Sequence, residues 1–173
     1  MTARAAGHRA VPLARIRALI LDVDGVLTDG RLYYSDNGEQ LKSFHVRDGY
    51  GIKALQAAGV TVAVISGRRS LAAQHRCREL GIERVALGVS DKGVALAALC
   101  ASLSVRTDEC ACVGDDVPDA AMLQSAGLAI AVADAHPQLL RLAHRHTRAR
   151  GGHGAVREVC DWLLAARQRR RRT

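Results

Sequence analysis

The chain has 173 residues, which suffices for one domain with a substantial apolar core but not for two comfortable domains. Its formal charge at pH 7 is +8, yet residues 18–166 hold 16 basic and 17 acidic residues and so carry −1. The positive charge therefore lies in the two ends of the chain. With only 3% aromatic residues, the sequence does not favour nucleic-acid binding through base stacking. No run of 18 apolar residues predicts a membrane span.

The five cysteines are scattered and form no C-x-x-C pair, which argues against a zinc ribbon and indicates the reduced thiols of a cytoplasmic protein. Residues 1–15 are basic and lack the apolar core of a signal peptide, so we predict a disordered leader there. Residues 16–166 are predicted to form a single domain. The arginine-rich residues 167–173 are predicted to be a disordered basic tail.

Short apolar runs alternate with segments of helical periodicity along most of the chain. The predicted strands cover residues 18–23, 61–65, 84–87, 110–113 and 128–132, and the predicted helices lie near residues 50–58, 70–80, 92–103, 118–125 and 137–143. Apolar residues at helical spacing over 156–164 predict a further helix. This alternation is typical of an α/β fold, a doubly wound (Rossmann-like) parallel sheet flanked by helices.

One insertion after the first strand interrupts the alternation. Residues 31–34 and 40–46 resemble strands, and Asn37-Gly38 between them is a strong β-hairpin signal. The segment is unusually aromatic for this chain, with Tyr33, Tyr34 and Phe44. Because an isolated hairpin is marginally stable in water, we expect this one to pack against another subunit.

Two aspartates, Asp22 and Asp24, come directly after the first predicted strand and before a glycine turn. Acids at such a position repel each other unless a cation lies between them, and oxygen-only ligation suits Mg²⁺. An EF-hand loop also begins Asp-x-Asp, but its fifth position would be Val26 and its twelfth would be Tyr33. The sequence therefore predicts a magnesium site of another kind.

Other strand ends should bring further polar groups to the same edge of the sheet, because ligands of open α/β sheets bind beyond the carboxyl ends of the strands. Ser66 and Asp115 follow two of these strands, and Lys92 begins a helix. This set suits phosphoryl transfer. Asp22 can attack phosphorus, and Asp24 can serve as the general acid and base. Asp22, Asp115 and a nearby carbonyl can hold the metal, while Ser66 and Lys92 bind the phosphoryl oxygens.

Four motifs resemble those of the haloacid dehalogenase-like phosphatases and occur in the same order. They are Asp22-x-Asp24-Gly25-Val26, Ser66, Lys92 and Gly114-Asp115-Asp116-x-x-Asp119. The resemblance implies that Asp22 is the nucleophile and that Asp24 is the acid/base, with its carbonyl group on magnesium. It makes Asp115 the third protein ligand of the metal. Asp116 and Asp119 would lie behind the ligands or bind the metal through water.

Longer motifs over residues 25–30, 46–52, 66–68 and 151–158 resemble the capless subgroup of this superfamily that hydrolyses 3-deoxy-D-manno-octulosonate 8-phosphate, a lipopolysaccharide precursor. The resemblance implies a magnesium-dependent homotetramer with active sites at subunit interfaces. The substrate contacts that it implies are Asp24, His45, Val46, Arg47, Asp48, Gly49, Arg68, Arg76 and Lys92. His45 departs from the pattern, since the subgroup usually has Asn there.

The spacing of the motifs supports a capless enzyme independently. Asp22 and Ser66 are 44 positions apart, and Ser66 and Lys92 are 26 apart, so neither interval can hold a cap domain. An uncapped site cannot enclose a small sugar by itself, which suggests that neighbouring subunits close it. The glycines of segment 151–158 form either a flexible hinge or, as the resemblance implies, part of a tail that enters a neighbouring site.

Three alternatives stay open at this stage. A phospho-receiver domain also uses acids, a hydroxyl and a lysine, but it carries its acidic pair on the first strand and its phosphorylated Asp on a middle strand. A non-catalytic oligomerisation module would have lost some of the chemical residues, whereas all are present here. A phosphatase of a nine-carbon acidic sugar phosphate is not distinguished from the eight-carbon enzyme by sequence.

Overall fold

The structure is a computed structural model that describes residues 11–170, apart from the side chains of residues 39, 40 and 170. The strands are β1 (Ala18–Leu21), β2 (Tyr33–Ser35), β3 (Gly38–Leu41), β4 (Thr61–Ser66), β5 (Arg84–Leu87), β6 (Cys110–Gly114), β7 (Leu128–Ala131) and β8 (Arg145–His146). The α-helices are α1 (Val46–Ala57), α2 (Leu71–Glu79), α3 (Lys92–Leu103), α4 (Ala120–Ser125), α5 (Pro137–Leu142) and α6 (Ala155–Arg170).

Six parallel strands form one sheet in the order β5-β4-β1-β6-β7-β8, and β2 and β3 form a separate antiparallel hairpin. The predicted fold class is confirmed, including the hairpin insertion. The strand order reverses direction at β1, which is where open α/β sheets bind their ligands. Leu21 pairs with Val64 on one side and with Val113 on the other. The three central strands thus end at one level, and the residues that follow them meet at one edge.

The core lies on both faces of the central strands. Every residue of β1, β6 and β7 is buried, which explains why these segments are continuously apolar in sequence. Helix α6 places Val156, Val159 and Leu163 in the same core, and it packs against α1. Each such buried aliphatic side chain stabilises the fold by roughly 1.5–3 kcal/mol. No helix among residues 11–170 is long and apolar enough to cross a bilayer.

Strand β8, at the edge of the six-stranded sheet, was not predicted. It consists of Arg145 and His146, both exposed, and it pairs with Ile130 and Ala131 of β7. Two exposed polar residues do not show the alternation of apolar and polar residues that predicts a strand. This strand forms because its backbone pairs with β7 at the sheet edge. The hairpin strands are also shorter than the predicted segments 31–34 and 40–46.

At both predicted domain boundaries, residues outside 16–166 form regular structure and contact the domain. In the predicted leader, residues 13–15 form a 3₁₀ turn and the amide of Val11 donates a hydrogen bond of 3.0 Å to the carbonyl oxygen of Gly127. In the predicted tail, α6 continues to Arg170, because arginine is a good helix former. The guanidinium of Arg167 also donates a hydrogen bond of 3.1 Å to the carbonyl oxygen of Ile16. Residues 1–10 and 171–173 of these predictions lie outside the described residues.

Candidate active site

The turn after β1 presents Asp22 and Asp24 and is fixed from within by a buried threonine. Thr28 Oγ1 accepts hydrogen bonds from the amides of Gly25 (3.3 Å) and Gly30 (3.2 Å) and donates one to the carbonyl oxygen of Val23 (3.3 Å). Gly25 has a φ of +84°, a conformation that suits glycine. The chain can therefore reverse sharply here and leave both carboxylates at the carboxyl edge of the sheet.

Lys92 forms a buried ion-pair bridge between two acids from different elements. Its Nζ lies 2.8 Å from Oδ1 of Asp22 and 2.5 Å from Oδ1 of Asp119. Lys92 is the first residue of α3, and the side chain of Asp91 caps that helix by accepting from the amides of Gly93 and Val94. Burial would lower the pKa of Lys92, but the two carboxylates outweigh it and raise this pKa. The lysine is thus held charged beside Asp22.

Asp115 completes the acidic centre from the loop after β6. A Cβ atom at position 25 would overlap the Asp115 carboxylate, so glycine there makes room for this side chain. The second oxygen of Asp119, Oδ2, accepts from the amides of Asp115 (2.9 Å) and Asp116 (3.3 Å). The buried Asp119 therefore holds both Lys92 and the Asp115 loop in place. Asp116 lines the cavity rim, where its Oδ1 caps the amide of Val117.

The electrostatics of this centre favour a cation. Carboxylate oxygens of Asp22, Asp115 and Asp119 lie within 4.8 Å of one another. Burial and the nearby Asp119 raise the pKa of Asp22 to about 6, although Lys92 opposes this, and burial with Asp22 and Asp119 raises the pKa of Asp115 to about 8. Apart from its ion pair with Lys92, Asp22 Oδ1 is buried without a hydrogen-bond partner in the described part of the chain. A divalent ion between Asp22 and Asp115 would relieve this repulsion.

Asp24 has a partner that sequence reasoning missed. The Nζ of Lys42, just after β3, donates a hydrogen bond of 2.5 Å to Oδ1 of Asp24, and the Lys42 side chain is fully buried. A lysine is rarely buried without a carboxylate beside it. The sequence, however, does not indicate that a lysine directly after a hairpin strand is buried. No local sequence signal therefore identified Lys42.

These groups surround one open cavity of about 290 Å³. It is lined by Asp22, Asp24, Gly30, Ser66, Gly67, Arg68, Lys92, Asp115, Asp116, Pro118 and Asp119. Ser66 ends β4, and its Oγ accepts from the amide of Arg68 (3.4 Å). The guanidinium of Arg68 donates to the hydroxyl of Tyr34 on the hairpin (3.3 Å). A larger depression of about 980 Å³ lies beside α2 and β5, but the acidic centre is not in it, so chemistry favours the smaller cavity.

The remaining predicted substrate residues do not line this cavity in the single chain. Val46, Arg47 and Gly49 lie in the first turn of α1, where Val46 is 79% exposed. His45 caps the same helix, because its Nδ1 accepts from the amide of Arg47 (3.2 Å). Asparagine is a preferred N-cap residue, and the ring nitrogen of His45 accepts the capping hydrogen bond that an Asn side chain would accept there.

Two of these residues have structural partners that the predictions did not foresee. Asp48 is 2% exposed, and its Oδ1 accepts from the amide of Arg157 in α6 (2.7 Å). Asp48 was predicted to contact substrate, and in this chain its carboxylate lies at the interface between α1 and α6. Arg76 pairs with Glu79 (2.9 Å) and lies 6.0 Å from the centre of the Phe44 ring. It therefore connects α2 to the segment between β3 and α1.

The glycine segment before α6 packs against its own chain. A Cβ atom on Gly151 would overlap the carbonyl oxygen of Gly25, and the amide of Gly152 donates to the carbonyl oxygen of Val26 (3.0 Å). These two glycines of the predicted hinge segment are therefore packed against the turn after β1. They are small because the turn that carries Asp24 lies directly against them.

The parallel sheet, together with the cluster of Asp22, Lys92, Asp115 and Asp119, indicates the class of hydrolases to which the chain is similar. The family model of the haloacid dehalogenase-like hydrolases matches residues 87–158, which include Lys92, Asp115 and Asp119.

Individual relatives narrow this class further. The 3-deoxy-D-manno-octulosonate 8-phosphate phosphatase KdsC of Escherichia coli K12 is 50% identical over 151 residues, covering 87% of this chain and 80% of that protein. The crystal structure of the Yersinia pestis phosphatase of the same name has a TM-score of 0.89 at 49% identity, over 91% of this chain and 85% of that one. The Moraxella catarrhalis enzyme, solved with magnesium, phosphate and KDO, has a TM-score of 0.88 at 38% identity, over 91% and 90%. The chain belongs to the KdsC family of haloacid dehalogenase-like hydrolases.

Proposed function

We propose that this chain is a magnesium-dependent phosphatase that hydrolyses 3-deoxy-D-manno-octulosonate 8-phosphate to the free sugar acid and phosphate, in lipopolysaccharide precursor synthesis. The observation that carries the proposal is the meeting of Asp22, Asp24, Lys92 and Asp115 around one cavity at the reversal point of the sheet. Relatives about 50% identical to this chain are named for that activity.

In the first half-reaction, a carboxylate oxygen of Asp22 attacks phosphorus and the ester bond to the sugar breaks, which leaves an aspartyl-phosphate. Lys92 holds Asp22 by its ion pair and so orients the nucleophile. Asp24 gives a proton to the departing sugar oxygen. Magnesium, held by the carboxylates of Asp22 and Asp115 and the carbonyl of Asp24, would neutralise the phosphate and the nucleophile together.

In the second half-reaction, the Asp24 carboxylate takes a proton from water, and the resulting hydroxide attacks phosphorus and frees Asp22. Ser66 and Lys92 hold the equatorial phosphoryl oxygens, where charge is spread in the transition state. Arg68 at the cavity rim is the guanidinium best placed for the carboxylate of an acidic sugar.

Replacement of the nucleophile tests the reaction. Asp22→Asn should abolish phosphate release, because an amide cannot accept the phosphoryl group, whereas Asp108→Asn at the opposite end of β6 should retain wild-type turnover. Undiminished turnover in Asp22→Asn would refute the nucleophile assignment. A wild-type protein that hydrolyses no phosphoester would point to the non-catalytic oligomerisation module.

The length of the sugar is tested by comparing phosphate release from the eight-carbon and the nine-carbon sugar acid phosphates. A higher kcat/KM for the eight-carbon substrate is expected. The reverse preference would assign the enzyme to nine-carbon sugars and leave the chemistry of the site intact.

We propose that the chain assembles as a homotetramer whose neighbours close each site. The hairpin exposes Tyr33 (42%), Tyr34 (63%) and Leu41 (55%) beside an open cavity, and the first turn of α1 exposes Val46. An exposed apolar patch of this kind is typical of a subunit interface. His45, Val46, Arg47 and Gly49 would then reach the cavity of a neighbour. Light scattering should give four chains, and Leu41→Glu should lower both the mass and kcat/KM; a monomeric, fully active wild-type protein would refute this.

We place the reaction in the cytoplasm. In the structure all five cysteines are free thiols and buried, as suits a reducing compartment. Cell fractionation with a periplasmic marker enzyme tests this, and co-release with that marker would contradict it.

A further inference from the structure

The buried ion pair between Lys42 and Asp24 lies beside the cavity, and the proposed reaction leaves Lys42 without a role. The Lys42 side chain is fully buried, and its Nζ lies 2.5 Å from Oδ1 of Asp24, whose own side chain is 20% exposed. Lys42 does not line the cavity, whereas Asp24 does. The lysine therefore contacts the acid/base group but is not among the residues that line the cavity.

The geometry separates Lys42 from the other buried lysine. Lys92 pairs with Asp22 and Asp119 and lines the cavity, where a phosphoryl group can reach it. Lys42 holds one oxygen of Asp24, Oδ1, which leaves the other oxygen as the one that can face a departing sugar oxygen. Nucleophile and acid/base thus each have their own ammonium group.

The position of Lys42 also links the hairpin to the chemistry. Lys42 follows directly after β3, and Tyr34 of β2 accepts a hydrogen bond from Arg68 at the cavity rim. Tyr34 of β2 and Lys42 directly after β3 therefore both contact groups that line the cavity.

We propose that Lys42 is a positioning residue that holds the Asp24 carboxylate in line with the leaving oxygen and so couples the hairpin to proton transfer. The proposal rests on the proposed phosphatase function. An aspartate has two free side-chain torsions, and an error of about 1 Å in a reacting group can cost roughly 10²-fold in rate. A charge-assisted hydrogen bond from a buried, immobile lysine removes that freedom.

The test uses leaving groups that differ in their need for a proton. For the full-length enzyme with Mg²⁺, kcat/KM is measured with the sugar acid phosphate, phenyl phosphate and p-nitrophenyl phosphate, because this parameter reports the steps up to the breaking of the ester bond. In Lys42→Met, kcat/KM should fall about 10²-fold for the sugar phosphate, less for phenyl phosphate and least for p-nitrophenyl phosphate, whose leaving group needs no acid. An equal fall for all three would overturn the proposal, since a merely structural role lowers every rate alike.

A second measurement asks whether Lys42 acts through Asp24. In an Asp24→Asn background, Lys42→Met should cause no further loss with the sugar phosphate, because residues that act as a unit are not additive. A full additional loss would overturn the proposal. Lys42→Arg, which keeps a buried cation, should recover part of the rate. It also replaces Lys42→Met in the leaving-group series if thermal unfolding shows that the Met variant does not fold.

Controls separate this proposal from the proposed function. Arg141→Met removes an exposed cation at the end of α5 and should leave all three rates unchanged. A wild-type enzyme inactive on the sugar phosphate but active on the aryl phosphates would refute the proposed substrate. The comparison of phenyl phosphate with p-nitrophenyl phosphate would still decide the role of Lys42.

Discussion

Gly151, just before helix α6, packs directly on the carbonyl group of Gly25 in the turn that follows Asp22. A Cβ atom on Gly151 would overlap that oxygen, and a Cβ atom on Gly25 would overlap the carboxylate of Asp115. The turn before α6, the turn after β1 and the proposed metal ligand Asp115 are therefore in close packing contact.

Gly151→Ala should displace this stack and lower kcat together with stability, at a cost of about 1–3 kcal/mol for overpacking. Gly81→Ala is the matched control. Gly81 has a φ of +69° and open space around it, so alanine there should cost about 1–2 kcal/mol of backbone strain and leave kcat unchanged. Steady-state kinetics and urea unfolding of both variants test this, and unchanged kcat in Gly151→Ala would contradict the stacking argument.

Asp119 is predicted to matter more than its neighbour Asp116. Asp119→Asn removes one charge that holds Lys92, and kcat should fall about 10- to 100-fold, as for other groups that orient ligands from behind. Asp116→Asn should have a smaller effect, because its exposed carboxylate caps the adjacent amide of Val117. Equal losses in the two variants would show that Lys92 does not depend on Asp119.

Magnesium should stabilise the protein more strongly at high pH. The pKa values of Asp22 and Asp115 are raised to about 6 and about 8 from 3.8, so the folded metal-free protein binds more protons than the unfolded chain. Its stability should therefore fall as the pH rises from about 4 to 8. At pH 8 Mg²⁺ meets ionised ligands, whereas at pH 5 it must displace protons.

Thermal unfolding with and without Mg²⁺ at pH 5 and pH 8 measures this difference. The rise in Tm on adding Mg²⁺ should be larger at pH 8, and Asp115→Asn should abolish most of it. A rise of equal size at both pH values would contradict the assignment of these carboxylates as the metal ligands.

Asp48 is predicted to support the fold and not to bind substrate within its own chain. Asp48→Ala leaves the amide of Arg157 without its acceptor, which should cost about 1–3 kcal/mol of unfolding free energy. Asp48→Asn keeps an acceptor oxygen and should lose less. Urea unfolding compares the three proteins. A raised KM for the sugar phosphate with unchanged stability would instead favour a substrate contact.

Arg167 is predicted to stabilise the domain, although its sequence context is that of a basic tail. Arg167→Ala removes the hydrogen bond to the carbonyl oxygen of Ile16 and should cost about 1 kcal/mol. Gln168→Ala, at an exposed position next to it, should change the unfolding free energy by less than about 0.5 kcal/mol. Equal effects in the two variants would show that the contact does not contribute.

The sequence by itself determined the parallel α/β fold and the acidic centre. The central strands are buried on both faces, so their apolar runs are unmistakable. The carboxyl ends of the strands in such a sheet meet at one edge, so the sequence alone predicts that Asp22, Ser66 and Asp115 lie close together. The glycine turn after Asp24 and the spacing between Ser66 and Lys92 can be recognised without knowing how the side chains pack.

Only the tertiary structure decided which acids and lysines pair and which surfaces are covered. The burial of Lys42 against Asp24, the use of Asp48 by α6 and the docking of Arg167 on Ile16 all join residues distant in sequence. Such contacts have no local period or composition, because they depend on where whole elements lie. The same holds for Gly151, whose need to be glycine comes from a carbonyl group more than 120 positions earlier.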